Sequence, residues 1–70
     1  MSKVYFNKAR TSSVVLDKIK EYTITESIMY SGKYDLRGWY NKTNNFFFGE
    51  FDSEEEARGY LNKIHNILIA

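Results

Sequence analysis

Few side chains in this sequence could do acid–base or metal chemistry: one histidine and nine carboxylates, with no cysteine. His65 falls near the end of a C-terminal helical pattern, where the helix dipole favours a cation. A single imidazole without thiolate neighbours makes a poor transition-metal site. We therefore predict a structural role for His65, at the surface or at the helix end, and no metal site.

The densest group of acids lies in the segment Asp52-Ser53-Glu54-Glu55-Glu56. This spacing is typical of a helix N-terminus, because the Ser53 hydroxyl can accept a hydrogen bond from the backbone near Glu56. The acids then lie at the positive end of the helix dipole. A Ca²⁺ or Mg²⁺ site would need several converging oxygens, and the chain has no D-x-D-x-D-G loop. Helix capping is therefore our interpretation of these acids.

Motifs for nucleophilic catalysis or phosphate binding are not found in the sequence. No serine lies in a G-x-S-x-G elbow, and the four glycines form no phosphate-cradling loop. A chain of 70 residues seldom builds the preorganised, water-poor pocket that catalysis requires. We predict that the protein is not an enzyme and that it uses no cofactor.

Length and composition indicate a single domain over residues 1–70. The lack of cysteine suits a reducing compartment. No stretch reaches the roughly 18 apolar residues of a membrane helix, and the first residues lack the apolar core of a secretory signal. We expect a cytoplasmic protein that does not associate with membranes.

A helix is predicted from Ser53 onward. Glu54 and Arg58 are spaced to form an i,i+4 ion pair, and Gly59 suggests that the helix packs closely on a sheet. Apolar residues recur at steps of three and four, which is typical of one buried helix stripe. The stripe consists of Ala57, Tyr60, Leu61, Ile64, Ile67 and Leu68.

The segments before the helix favour β-strands, at residues 3–7 (as an edge strand), 21–26, 34–40 and 46–51. Residues 13–19 are ambiguous: Val14 and Val15 favour a strand, whereas Ser13 as a cap, with Leu16 and Ile19 three apart, favours a short helical turn. We prefer a short strand that passes into a turn at Asp17 and Lys18. Short connections favour antiparallel neighbours, because parallel strands need long crossovers. The predicted fold is α+β, with a three- to four-stranded antiparallel meander packed against one C-terminal α-helix.

Two runs carry a resemblance to known proteins: residues 16–19 (Leu-Asp-Lys-Ile) with Tyr22, and residues 48–57 (Phe-Gly-Glu-Phe-Asp-Ser-Glu-Glu-Glu-Ala). Over about residues 14–68 the chain resembles a group of small, mostly uncharacterised proteins of Firmicute bacteria and their phages. In that group a last strand ending in glycine passes through an F-D-S-E-E-A turn into a helix. The resemblance implies no catalytic residues. Phage members of this size often inhibit or modulate host machinery, so it implies a binding role toward a host protein.

Aromatic residues are unusually frequent: six tyrosines, five phenylalanines and one tryptophan. One helix covers only one face of a sheet. Strand alternation places Phe47 and Phe51 opposite Phe46 and Phe48, unless a bulge at Gly49 changes the register. Both faces of the sheet are therefore expected to carry large apolar side chains, and an exposed apolar patch usually marks an interaction site.

Our first hypothesis is a protein-interaction surface, used for self-association as a homodimer or higher oligomer, or for a different protein partner. Tyrosine, tryptophan and arginine are the preferred anchors of such interfaces. The main candidates are Trp39, Arg37 and Phe47, with Tyr34 and Tyr40 as secondary candidates from the opposite face.

The alternative hypothesis is single-stranded nucleic-acid binding, in which aromatic side chains on a sheet stack on bases. The stacking candidates are Tyr5, Phe6, Tyr22 and Tyr34. The phosphate-binding candidates are Lys3, Lys8, Arg10, Lys18, Lys20 and Lys33. Against this hypothesis, the net charge is only +1 and the R/K-G-F-G-F-V motif is absent. A small-nucleotide site at an oligomer interface would suit the same residue types, but no residue singles it out.

Overall fold

A computed structural model describes residues 3–69. Five strands precede one helix, with a 3-10 turn at Leu16–Lys18. The elements are β1 (Val4–Phe6), β2 (Ser13–Val15), β3 (Glu21–Glu26), β4 (Tyr34–Trp39), β5 (Asn45–Phe51) and α1 (Glu54–Ile69). The predicted α+β class with one C-terminal helix is confirmed, as is the short strand that passes into a turn at residues 13–18.

The strands form two separate sheets. β3, β4 and β5 make an antiparallel meander in that order, whereas β1 and β2 pair only with each other as a hairpin. The prediction that residues 3–7 form an edge strand of the meander is therefore wrong. The hairpin instead packs beside β5, where the Lys8 N–H donates to the Phe48 carbonyl at 2.6 Å. A side chain at Gly49 would put its Cβ 2.6 Å from the Lys8 Cβ, so glycine permits this approach.

A β-bulge in β5 decides which aromatic side chains face the helix. Leu36 pairs with Gly49 and Arg37 pairs with Phe47, which leaves Phe48 as the extra residue. Beyond the bulge, Phe51 returns to the helix-facing side, where it is buried. The expectation that Phe47 and Phe51 share a face is thus wrong, because one extra residue reverses the alternation.

The core lies between the meander, the helix and the hairpin. Its most deeply buried side chains are Leu16, Leu36, Phe48 and Ile64. Gly38 lets two of its neighbours approach β4, since a Cβ there would lie 2.7 Å from Ile19 Cδ1 and 2.9 Å from Phe48 Cε2. The hairpin contributes Val14 to the same core.

The helix begins as its sequence predicts. The Glu56 N–H donates to the Ser53 hydroxyl at 3.1 Å, and Arg58 pairs with Glu54 at 2.7 Å. The apolar stripe packs on the core, with Ala57 buried among its members. The expected close contact of Gly59 with the sheet is wrong: this glycine is exposed, and a Cβ there would meet nothing within 4 Å.

Within residues 3–69, no helix combines the length and apolar character needed to cross a bilayer.

Candidate functional site

The meander has one face that the helix does not cover, which we call the outer face. Leu36, Phe48 and Phe51 point to the helix side, so alternation directs the intervening residues outward. The outer face carries Thr23, Thr25, Asp35, Arg37, Trp39, Phe47 and Glu50. Two of the three main candidates for protein binding, Arg37 and Phe47, are directly paired across β4 and β5.

Arg37 connects charge and apolar surface at the middle of the outer face. Its guanidinium carbon lies 5.2 Å from the Phe47 ring centroid, which is a cation–π distance. Its Nη1 lies 3.4 Å from Asp35 Oδ2. The planar guanidinium is therefore held between a carboxylate and a ring, while Phe47 remains 46% exposed.

A groove of about 420 Å³ lies between this part of the outer face and the loop that joins β3 to β4. Asp35, Arg37 and Phe47 contribute to one side, and Ile28 and Met29 contribute to the other. Ile28 is fully exposed and Met29 is 81% exposed. Large apolar side chains that line a groove without being covered are the feature that distinguishes an interaction site from an ordinary surface.

Hydrogen bonds hold the loop in place over the groove. The Ser27 hydroxyl accepts from the Tyr30 N–H at 3.3 Å and donates to Glu50 Oε2 at 3.4 Å. At its base the Ser27 N–H donates to the Lys33 carbonyl at 2.8 Å. Ser27 thus closes the base of the loop through Lys33 and connects it to β5 through Glu50, so the apolar residues at the loop tip lie next to the groove.

The groove has a net negative lining. Glu26, Asp35 and Glu50 contribute three carboxylates against the one guanidinium of Arg37. Asp35 is only 9% exposed, and its Oδ1 has no hydrogen-bond partner within residues 3–69. A buried carboxylate oxygen of this kind is stabilised by an additional donor or cation nearby. The groove is therefore suited to an apolar segment with a positive charge and disfavours phosphates.

Trp39 lies at the other end of β4, away from the groove. Its indole N–H donates to the Thr23 hydroxyl at 2.9 Å, and the ring is half-buried. With Thr25, Asn41 and Lys42 it lines a shallow depression beside β3. Trp39 therefore shares the outer face with the Arg37–Phe47 pair, as the sequence had grouped them, but it does not line the groove.

The secondary candidates Tyr34 and Tyr40 lie on the helix-facing side of the sheet. Both are half-buried and pack against the core. They do not share a surface with Arg37 or Phe47.

The rings proposed for stacking on bases are mostly used in internal packing. Tyr5 makes an edge-to-face contact with Tyr60 at 5.4 Å, and Tyr22 contacts Phe48 at 6.1 Å. Tyr34 packs against the core, and only Phe6 is exposed. Three of the four rings proposed for base stacking therefore take part in internal packing.

The basic residues proposed for phosphate contact are dispersed. Lys3 Nζ donates to the Leu68 carbonyl at 3.0 Å, and Lys8 Nζ donates to the Glu50 carbonyl at 2.6 Å. Arg10 lies over the Phe6 ring at 4.8 Å. Lys18 and Lys20 are exposed. Lys33 forms an ion pair with Asp52. Two of the six side chains are thus engaged with backbone carbonyls. Lys8 and Arg10 line a small pocket of about 180 Å³ together with the proposed stacking rings Tyr5 and Phe6.

His65 is exposed on the helix and makes an edge-to-face contact with Tyr22, with ring centroids 5.6 Å apart. Burial raises the pKa of the Tyr22 hydroxyl. Residues 3–69 hold no group of three or more histidine, aspartate or glutamate side chains placed to bind a metal ion.

The loop residues Ile28, Met29 and Tyr30 were missed by the sequence reasoning, although they are the most exposed apolar residues beside the groove. A signal was present: three consecutive large apolar residues immediately before Ser31 and Gly32, where a polar turn is expected. Apolar residues in a turn segment do not belong to the buried face of a strand. Such residues therefore indicate a contact at the protein surface.

Comparison with known proteins adds no relative: no protein-family model, no curated protein and no solved structure matches the chain.

Proposed function

We propose that this chain is a non-enzymatic protein-interaction module that binds a partner protein in the outer-face groove. The supporting observation is the cluster of exposed apolar side chains around a groove of about 420 Å³. Phe47 forms one wall, and Ile28, Met29 and Tyr30 form the other. Arg37 lies beside Phe47 in the groove, and arginine and tyrosine are both favoured interface anchors.

The charge of the groove supports a protein partner over a nucleic acid. Three carboxylates line it, and they would repel a phosphate backbone. Of the rings proposed for base stacking, only Phe6 is exposed. A polypeptide with apolar side chains and a basic residue fits both the lining and the shape.

The resemblance to small proteins of Firmicute bacteria and their phages favours a more specific form of this proposal. In that form the module is a cytoplasmic inhibitor or modulator of a host protein. A protein with this role needs an exposed binding surface and no catalytic residues. The outer-face groove meets this requirement, and Arg37, Phe47 and Met29 are the residues expected to contact the target.

Site-specific photo-crosslinking in cells tests the proposal. A photoreactive phenylalanine analogue is placed at Met29 in the groove and, as a control, at Asn62 on the exposed side of the helix. We expect a discrete protein adduct from position 29 only, and we expect Phe47→Ala to abolish it. Equal adducts from both positions would contradict the proposal, as would an adduct that Phe47→Ala leaves unchanged. A nuclease-sensitive adduct would favour nucleic-acid binding instead.

A further inference from the structure

The two edges of the meander differ in how they are protected. β5 is bulged and has the hairpin beside it, with the Phe48 carbonyl accepting from Lys8. β3 is six residues long, pairs regularly with β4, and has no strand on its other side among residues 3–69. A regular, uncovered edge strand is a template for pairing with another chain.

The hydrogen-bond pattern identifies which β3 groups face outward. Ser27 N–H donates to the Lys33 carbonyl, so residue 27 forms a hydrogen-bonded pair with residue 33 in the β3–β4 register. Such pairs alternate along an antiparallel ladder, and odd-numbered β3 residues therefore direct their backbone groups toward β4. On the other side of β4, Tyr40 N–H donates to the Asn44 carbonyl, which fits the same alternation. The backbone groups of Tyr22, Ile24 and Glu26 therefore point to the free edge.

This pattern restricts the ways in which β3 can pair with a second copy of itself. The free backbone N–H and C=O groups of β3 belong to its even-numbered residues. Two copies of β3 can therefore form backbone hydrogen bonds only in antiparallel registers that place even-numbered residues opposite each other. The register centred on Thr23 is one of them. It pairs Tyr22 with Ile24 on the helix-facing side, and aromatic and β-branched partners stabilise an antiparallel ladder.

The same register also matches charges. Lys20 precedes β3 and its N–H donates to the Trp39 carbonyl at 2.8 Å, so the regular ladder ends at Glu21. The register nevertheless brings the Lys20 ammonium of one copy near the Glu26 carboxylate of the other, twice by symmetry. A register centred on Ile24 would instead pair Tyr22 of one copy with Glu26 of the other. A register centred between Thr23 and Ile24 would place Glu21 of one copy opposite Glu26 of the other, which are like charges. Both Lys20 and Glu26 are exposed, and neither forms a salt bridge within residues 3–69. Thr23 lies next to Trp39, whose indole it binds, so the tryptophan would lie close to the symmetry axis.

We infer that a second copy of this chain pairs with β3 through its own β3, in the register centred on Thr23, to form a continuous six-stranded antiparallel sheet. The two-fold symmetric contact is self-complementary, as closed dimers require. It uses the sheet edge. Glu26 also lines the outer-face groove, whereas Lys20 does not. The contact is small, and we therefore expect a weak, concentration-dependent dimer.

A charge-swap series measured by sedimentation equilibrium tests this inference. Concentrations from about 10 μM to about 1 mM cover the range of weak interfaces. We expect Lys20→Glu and Glu26→Lys each to weaken dimerisation about tenfold, because each replaces two attractive contacts by two repulsive ones. The double variant Lys20→Glu/Glu26→Lys is expected to restore the wild-type dimer. The control Lys63→Glu, on the helix, should have no effect.

Hydrogen exchange supplies an independent readout of the same contact. The amides of Tyr22 and Ile24 should exchange more slowly as the protein concentration rises, whereas the Thr23 and Thr25 amides, already paired with β4, should not change. A wild-type protein that stays monomeric at the highest concentration would overturn the inference. The inference would also be overturned if Lys20→Glu and Glu26→Lys had no effect on dimerisation, or if the double variant failed to restore the dimer. Because Lys20 lies outside the groove, loss of dimerisation in Lys20→Glu with retention of the Met29 crosslink would separate the two sites.

Discussion

The guanidinium of Arg37 lies 5.2 Å from the ring centroid of Phe47, on the face of the sheet that the helix leaves uncovered. The neighbouring residue Phe48 has no exposed surface and lies at the centre of the core. Two consecutive phenylalanines therefore have opposite roles, one on the proposed docking surface and one in the core. This contrast allows binding and stability to be separated by experiment.

Phe47→Ala and Phe48→Ala form a matched pair. We expect Phe48→Ala to lower the free energy of unfolding by about 3–5 kcal/mol, a large part of the stability of a small domain. Phe47→Ala should cost about 1 kcal/mol or less, because it removes a half-exposed ring and one cation–π contact. Urea denaturation followed by circular dichroism measures both values. A large loss of stability in Phe47→Ala would assign this ring to the fold and not to a binding surface.

Gly59→Ala and Gly38→Ala should change stability in opposite directions. Gly59 is exposed within the helix with open space around its Cα, so alanine should add about 1 kcal/mol through helix propensity. At Gly38 a Cβ would meet Ile19 and the immobile ring of Phe48 at under 3 Å, so alanine should cost about 1–3 kcal/mol. Thermal melting of both variants checks the signs. Stabilisation by Gly38→Ala would show that Ile19 can move away from the sheet without cost.

The elements that were predictable from sequence are those set by local patterns. The capping serine and the apolar stripe that starts at Ala57 determine the helix, and alternation determines β3 and β4. The bulge at Phe48 was only a possibility at the sequence level, because the backbone contact beside it comes from Lys8, 40 residues earlier in the chain. The extra residue Phe48 shifts the alternation, so that Phe51 faces the core.

The candidate site was predictable only in part, for the same reason. The outward positions of Arg37 and Phe47 follow from strand alternation, since each is adjacent in sequence to a core residue, Leu36 or Phe48. The loop that completes the groove has no periodicity, and Ser27 holds it by hydrogen bonds within the loop and to Glu50 of β5. Trp39 was correctly placed on the outer face, but it does not line the groove.

Ser53→Ala tests the helix cap. The variant leaves the Glu56 N–H without its acceptor, and we expect a loss of about 1 kcal/mol in the free energy of unfolding. Ser53→Asp retains an acceptor oxygen at the same position and should stay close to the wild type. If both variants lose the same stability, the Ser53 hydroxyl contributes through another contact than the cap.

The ion pair between Lys33 and Asp52 joins the end of the β3–β4 loop to the segment before the helix. The hydrogen bond and charge of Lys33 lower the pKa of Asp52 below its ordinary value of 3.8. Hydrogen bonding and attraction to Asp52 raise the pKa of Lys33 above its ordinary 10.5. The contribution of Asp52 to stability is thus complete above pH 3.8 and is lost as the pH falls through its lowered pKa. The contribution of Lys33 is complete below pH 10.5 and is lost as the pH rises through its raised pKa.

A double-mutant cycle with Lys33→Met and Asp52→Asn measures this coupling. Both side chains are solvent-exposed, so we expect a small coupling at pH 7 that is weaker at about pH 2, where Asp52 is more protonated, and in about 1 M salt. Asp52→Asn keeps the backbone N–H that donates to Glu56, so the helix start is unchanged in every arm of the cycle. Thermal unfolding at the two pH values gives the coupling. A coupling that persists at the acid pH would mean that the two residues interact through packing and not through charge.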